Sequence, residues 1–149
     1  MSSLENNKAL VRRFYEEAWN QKNLGILEDT HAFDWVHYDP SNPADLRDGP
    51  QGNRERLAEV IAAFPDICYT LEDLIAEGDR VVARFTARGT QRGAFGPIPA
   101  TGRAVIMQGV IIHRIRDGKI AEDWVVRDTL GLMQQLGVIP APGAAEAGG

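Results

Sequence analysis

The sequence predicts a single α+β domain, and three observations carry that prediction. Apolar residues recur at helical spacing up to Phe64, they follow the two-residue period of strands from Asp66 to Arg127, and no repeat or linker divides the two regions. With 149 residues, 44% apolar and 25% charged, the chain is long enough for one hydrophobic core and has the balance of an ordinary globular protein. Residues 1–140 are read as that domain. The stretch 141–149 contains only Ala, Gly, Pro and Glu and is expected to be a flexible tail.

The first helix is predicted from Leu4 to Asn20. Ser2 and Glu5 have the spacing of a capping box, and Leu4, Val11, Phe14, Tyr15, Ala18 and Trp19 form one apolar stripe. A shorter helix covers Leu24 to Glu28. Phe33 to Asp39 reads as a strand that puts Trp35, His37 and Asp39 on one face and Tyr38 on the other, before Pro40 and Pro43 end it. A loop runs to Gly52. Asn53 to Phe64 is the third helix, with Leu57, Val60, Ile61 and Phe64 on one side and Pro65 as its stop. Strands follow at Asp66–Ala76 and Arg80–Gly89, joined by the turn Glu77-Gly78-Asp79. After a loop containing Gly96-Pro97-Ile98-Pro99, Ala104–Arg116 and Lys119–Arg127 form a hairpin across Asp117-Gly118. Thr129 to Leu136 is the last helix, and Gly137 closes it. Helices segregated from strands that pair antiparallel give the α+β class.

Composition excludes several roles. The net charge is −5 with acids and bases interspersed, so no basic surface for nucleic acid is expected. No apolar run approaches the roughly 18 residues that cross a bilayer, and the polar start Met1-Ser2-Ser3-Leu4-Glu5 is unlike a secretion signal. A cytoplasmic protein is expected, with neither nucleic acid nor membrane as partner. The single cysteine, Cys68, cannot form an internal disulfide, and no Cys/His spacing suits a metal. Within the strand-like run Ile67-Cys68-Tyr69-Thr70-Leu71 it is read as a buried, inert thiol rather than a nucleophile.

The last hairpin holds the residues of most chemical interest, and its register decides which of them meet. A type I turn with Gly118 in a bulge pairs Ile115 with Lys119, His113 with Ala121 and Ile111 with Asp123. Met107, Gly109, Ile111 and His113 then share a face with Ala121, Asp123, Val125 and Arg127, while Trp124 and Val126 face the other way. A two-residue turn shifts the register by one and sets Glu122 and Trp124 beside His113 instead.

Four stretches of the chain resemble the SnoaL-like polyketide cyclase and ester cyclase family of the NTF2-like superfamily. They are Leu10-Val11-Arg12-Arg13-Phe14-Tyr15 with Trp19-Asn20; His37-Tyr38-Asp39-Pro40; Pro97-Ile98-Pro99-Ala100-Thr101-Gly102-Arg103; and Arg114 to Ile120 followed by Glu122-Asp123-Trp124, Asp128 and Gln135-Leu136-Gly137. The similarity spans about residues 8 to 140. It implies a cone: a curved antiparallel sheet wrapped over the N-terminal helices around an apolar pocket. It also selects the bulge register, because the family's pocket carboxylate lies on the side of Asp123 and Val125. His113 and Asp123 then become diagonal neighbours, about 7–8 Å apart at the backbone.

The resemblance implies chemistry without a cofactor. In the family a pocket aspartate takes a proton alpha to a carbonyl, an enolate forms and an intramolecular aldol closes a ring, with a histidine on the neighbouring strand. Those two positions align with Val125 and Ile111, neither of which moves a proton. His113 and Asp123 lie one rung nearer the turn, so either the chemistry has moved along the strands or it is absent. The leading expectation is an acid–base enzyme of the cyclase, isomerase or lyase type on a small, mostly apolar carbonyl compound, with Asp123 as base and His113 as its partner or as the acid. Asp39, His37, Trp35, Ile111, Val125 and Arg127 are the expected substrate contacts, and His113 or Tyr38 the donor to an oxyanion.

Each assignment has a structural counterpart. A His–Asp pair inside a sheet can simply satisfy its own hydrogen bonds. Asp39 before Pro40 can start a turn, and Asp128 before Thr129 is read mainly as a helix cap. Arg84 and Arg88 are expected in solvent. The rivals to the leading expectation are epoxide hydrolysis, drawing on Asp123, Arg127 and Asp39 around a water, and a non-catalytic pocket holding an apolar ligand. Trp124, Val126, Val110 and Ile112 make an apolar outer face, where a homodimer is expected.

Overall fold

A computed structural model describes residues 3–143, and the elements follow the predicted order. Helix α1 spans Ser3–Arg13 and passes into a wider π-helical stretch, Phe14–Asn20, in which Gln21 N–H donates to the Glu16 carbonyl. A 3₁₀ turn at Leu24–Ile26 leads into α2 (Leu27–Thr30). Then come β1 (His31–Tyr38), α3 (Gly49–Ala63), β2 (Cys68–Glu77), β3 (Arg80–Thr90), β4 (Ala104–Arg116), β5 (Lys119–Arg127) and α4 (Thr129–Gln135). The expected Ser2 cap and residues 144–149 of the expected tail lie outside the described residues. Among the described residues no helix is long and apolar enough to cross a membrane.

The five strands form one sheet in the order β1-β5-β4-β3-β2. All neighbours are antiparallel, as expected of most of the sheet, except β1 and β5, which run parallel. The sheet curls over the first helix. Val11, Phe14, Tyr15, Ala18 and Trp19 pack into it against Trp35, Leu57, Tyr69, Val81, Phe85, Ile111 and Val125. Each such large side chain taken fully out of water stabilises the fold by about 1.5–3 kcal/mol. This is the α+β cone of NTF2-like proteins.

Two amide side chains finish the cone where the ladder of strands stops. Asn20 accepts from Tyr69 N–H at 2.7 Å and donates to the Tyr69 carbonyl at 2.9 Å, pairing with β2 as a further strand would. Gln135 does the same for Ile106 of β4, at 2.7 and 2.8 Å. Backbone groups left bare at these points would each cost a desolvation penalty. That need accounts for an asparagine at the end of the first helix and a glutamine in the last.

Asp128 caps α4, as expected, by accepting from Gly131 N–H at 2.9 Å. Helix α3 begins earlier than predicted, at Gly49, whose φ of +65° provides the turn out of the preceding loop. Cys68 is exposed rather than buried. It faces away from the core at the start of an edge strand, whereas its neighbour Tyr69 takes the inward position.

Candidate active site

The hairpin resolves its register in a way that neither sequence-based alternative described. The turn has two residues, with Asp117 and Gly118 both at positive φ (51° and 73°), and pairs Arg116 with Lys119. A bulge then falls further along, at Ala121, where the ladder steps from Ile115–Ile120 to Arg114–Glu122. Ile120 and Ala121 both point inward, and the extra residue turns Asp123 to the inner face. His113 is therefore directly opposite Asp123, not Ala121, and the expected diagonal becomes a direct cross-strand pair.

One rung of the sheet carries the site: Val81, His113, Asp123 and His37 lie side by side on β3, β4, β5 and β1. The next rung holds Ala83, Ile111 and Val125, and the one after it Phe85, Gly109 and Arg127. His113 is fully buried and Asp123 is 4% exposed. His113 Nδ1 and Asp123 Oδ1 are 2.5 Å apart, and Trp35 Nε1 donates to the other carboxylate oxygen at 3.2 Å. Tyr15 Oη lies 2.9 Å from His113 Nε2. An ionised carboxylate only accepts, so His113 Nδ1–H is the donor to it, and a neutral His113 accepts from the Tyr15 hydroxyl at Nε2. The result is a directed chain from Tyr15 through His113 to Asp123.

Electrostatics favour an ionised Asp123. Burial pushes its carboxyl up, but the His113 imidazole, by its charge when protonated and by its hydrogen bond, outweighs burial together with His31 and His37 in their protonated forms and holds it below the usual carboxylate range. Tyr15 is pushed well above the ordinary phenol value by burial and by the Asp123 charge, so it remains a donor. Burial depresses His31 to about 4. Burial and the Arg56 guanidinium depress His37 to about 4. Both are neutral at physiological pH.

Towards the wetter end of the cone lies a second polar group. Arg56 of α3 approaches His37 Nε2 at 2.6 Å and donates from Nε to Asp45 at 3.0 Å, while its guanidinium sits 5.9 Å over the Trp35 ring. Arg127 Nη2 is 3.4 Å from Asp39 Oδ2, and His37 Nε2 is 4.0 Å from the same oxygen. Asp39 starts the expected turn with one oxygen and turns the other towards Arg127. Its Oδ1 accepts from Ser41 N–H and Oγ–H in a turn, and its Oδ2 faces the site.

The structure thus brings together His113, Asp123, Trp35, His37, Asp39, Ile111, Val125 and Arg127. It removes Tyr38, which stacks on Trp124 on the outer face and cannot reach an oxyanion inside. Trp35 is 1% exposed and supports Asp123 rather than lining open space. The site residues that the sequence reading missed are Tyr15, His31, Arg56 and Tyr69. The cone interior is closely filled by aromatic rings, among them Tyr15, Tyr69 and Phe85. Two surface hollows, of about 420 and 370 Å³, are lined by neither His113 nor Asp123, although the second reaches Arg127 and Phe85. Among the described residues no cluster of His, Cys, Asp and Glu is arranged to hold a metal.

Residues 9–136 match the family described as SnoaL-like polyketide cyclase. The chain belongs to this family. It is 33% identical over 137 residues to the aklanonic acid methyl ester cyclase DnrD of Streptomyces peucetius, covering 86% of this chain and 88% of DnrD. Among solved structures, TsrD from Streptomyces laurentii superposes with a TM-score of 0.83 at 31% identity, over 93% of this chain and 100% of TsrD. IdmH from Streptomyces antibioticus superposes with a TM-score of 0.75 at 33% identity, over 88% and 98%. Within this SnoaL-like cone, Ile111 and Val125 form the rung adjacent to His113 and Asp123, on the same inner face.

Proposed function

We propose that the protein is a cofactor-independent acid–base enzyme of the cyclase or isomerase type, acting on a small, mostly apolar carbonyl compound. The observation that carries this reading is the buried Asp123 carboxyl group, oriented by His113 and Trp35 on an inner face of Ile111, Val125 and aromatic rings. In the proposed step a C–H bond alpha to a carbonyl breaks and its proton passes to Asp123. The bonding pair moves into the carbonyl to give an enolate. His113 Nδ1–H keeps the carboxylate in one rotamer and offsets its charge change. The enolate carbon then attacks a second carbonyl of the same molecule, whose oxygen takes the proton from Asp123 and restores the carboxylate; in an isomerisation the enolate instead takes that proton back at a different atom. A carboxylate held below its usual range is a modest base, so the reading requires a C–H already acidified by its substituents.

Family membership and the likeness to DnrD, a cyclase, support the aldol form of this reaction. The epoxide-hydrolase alternative draws on the Asp39–Arg127 pair, but Asp123 lies in a different rung from Arg127, and the ion pair of Arg127 is with Asp39. Proton NMR in heavy water tests the proposal. The full chain should catalyse exchange of the α-protons of benzoylacetone or ethyl acetoacetate, and Asp123→Asn should slow it by about 10²–10⁴. Exchange unaffected by that substitution would end the proposal, and a bound but unexchanged ligand would favour a binding role.

For assembly we propose a homodimer across the outer sheet face. There the Tyr38–Trp124 stack adjoins Val110 and the largely exposed Val126. Sedimentation should give a dimer that Val126→Asp converts to monomer; a monomeric parent protein at micromolar concentration would refute it.

A further inference from the structure

The proposed chemistry uses Asp123 and His113 but leaves two arginines unexplained. Arg56 and Arg127 carry side chains only 16% and 24% exposed, at the same end of the cone. Long cationic side chains are rarely taken this far out of water without full pairing. Arg56 is well paired, through Asp45 and His37. Arg127 is not. Its Nε is buried without a hydrogen-bond partner, and its contact with Asp39 is 3.4 Å, long for a charge-assisted bond. Asp39 is also committed elsewhere, since its other oxygen accepts twice from Ser41.

The two guanidinium groups are connected. Arg56 reaches His37, His37 lies near Asp39, and Asp39 meets Arg127. Both cations also act on Tyr69, drawing its hydroxyl down against the effect of burial. Arg127 follows Asp123 by four residues on the inward face of β5, two rungs along. A group bound at Arg127 would therefore lie on the side of Asp123 away from the hairpin turn.

We propose that Arg127, backed by Arg56, forms a subsite for a planar two-oxygen anion of the substrate: a carboxylate or the oxygen pair of an enolised β-dicarbonyl. A guanidinium presents parallel N–H donors from Nε and Nη that match such a pair of oxygens. The orphaned Nε supplies one donor of that fork, and Nη2, released from Asp39, supplies the other. Arg56 keeps its own bonds and contributes positive charge. The subsite rests on the reading that substrate enters this end of the cone, and it narrows the substrate to carbonyl compounds bearing such an oxygen pair.

Sodium benzoate and its neutral isostere benzamide test the subsite on the full chain, with the arginine Nε–Hε resonances followed by NMR. Benzoate should shift the Arg127 signal and bind about tenfold or more tightly than benzamide. Arg127→Gln should abolish that preference. Asp39→Asn, which removes the competing carboxylate, should strengthen benzoate binding and guards against misfolding of the arginine variant. Benzoylacetone displacing benzoate assigns the subsite to enolised dicarbonyls, and failure to displace it assigns the subsite to carboxylates. Equal affinity for the two probes, a preference that survives Arg127→Gln, or no Arg127 shift at about 50 mM benzoate would overturn the proposal. Benzoate binding without α-proton exchange would sink the proposed reaction and leave the subsite standing; exchange without benzoate binding would do the reverse.

Discussion

The β4–β5 hairpin carries two acid–base pairs at neighbouring positions along its strands, and they face opposite ways. Arg114 Nε donates to Glu122 at 2.7 Å on the outer face, where the two side chains are 22% and 23% exposed. His113 meets Asp123 at 2.5 Å on the inner face, where the exposures are 0% and 6%. The partners differ by one position in each strand. What separates them is solvent. The outer pair is screened by water and salt and stays at the low end of ion-pair energies. The inner pair has given up its hydration, so each partner depends on the other. The lesson is that a site is made here by the face on which a pair lies rather than by the pairing itself.

Removing one partner should break this comparison most sharply. Asp123→Ala leaves His113 without its acceptor and Trp35 Nε1 without its partner in the core. A loss of about 3–5 kcal/mol is expected in urea unfolding, together with loss of α-proton exchange. A cost below about 1 kcal/mol would mean that the inner pair behaves like the outer one and that Asp123 is hydrated in solution.

The pH dependence of stability should be next in size. His31 and His37 sit near 4 in the folded chain but near 6.5 when unfolded. Between those values the unfolded state binds more protons, so stability is full above about pH 6.5 and falls as the pH drops towards 4. The limit is about 3 kcal/mol for the fully buried His31 and less for His37, whose charge is partly screened by solvent. Asp123 acts in the same direction. Its folded carboxyl is held low, so its contribution is lost as the pH falls through its folded value. His31→Phe should flatten the profile between pH 6.5 and 4 by removing one group. A stability flat across this window would show that the interior histidines are hydrated.

Much of this arrangement was legible in the sequence. Two-residue alternation put Trp35, His37 and Asp39 on one face and His113 with Asp123 on one face. The register was not legible, because a turn bulge and a strand bulge give the same parity. Only the positive φ of Asp117 and the paired inward positions of Ile120 and Ala121 distinguish them. The missed residues fail for separate reasons. Tyr15 fits its helical stripe as well as any core residue, and only its polar tip hinted at a partner. His31 precedes the predicted start of its strand, which a two-residue fraying of the boundary hid. Arg56 carries no local signal at all, since its burial comes from α3 packing over β1. Tyr69 follows Cys68 in a run where the apolar pattern does not say which of the two points inward.

The smallest expected effects sharpen the contrast between the faces. On the inner face Gly109 has no room for a side chain: an added Cβ would lie 2.6 Å from Phe85 Cζ and 2.9 Å from the Val126 carbonyl oxygen. Gly109→Ala should cost about 1–3 kcal/mol by thermal unfolding, because the ring can shift but the backbone oxygen cannot. On the outer face Glu122→Gln should cost no more than about 0.5–1 kcal/mol, shrink further in high salt, and leave α-proton exchange unchanged. It retains the side chain's length and an acceptor for Arg114, so it removes only the charge. A larger loss there, insensitive to salt, would mean that the outer face is itself buried in solution, as the proposed dimer requires of the apolar surface beside it.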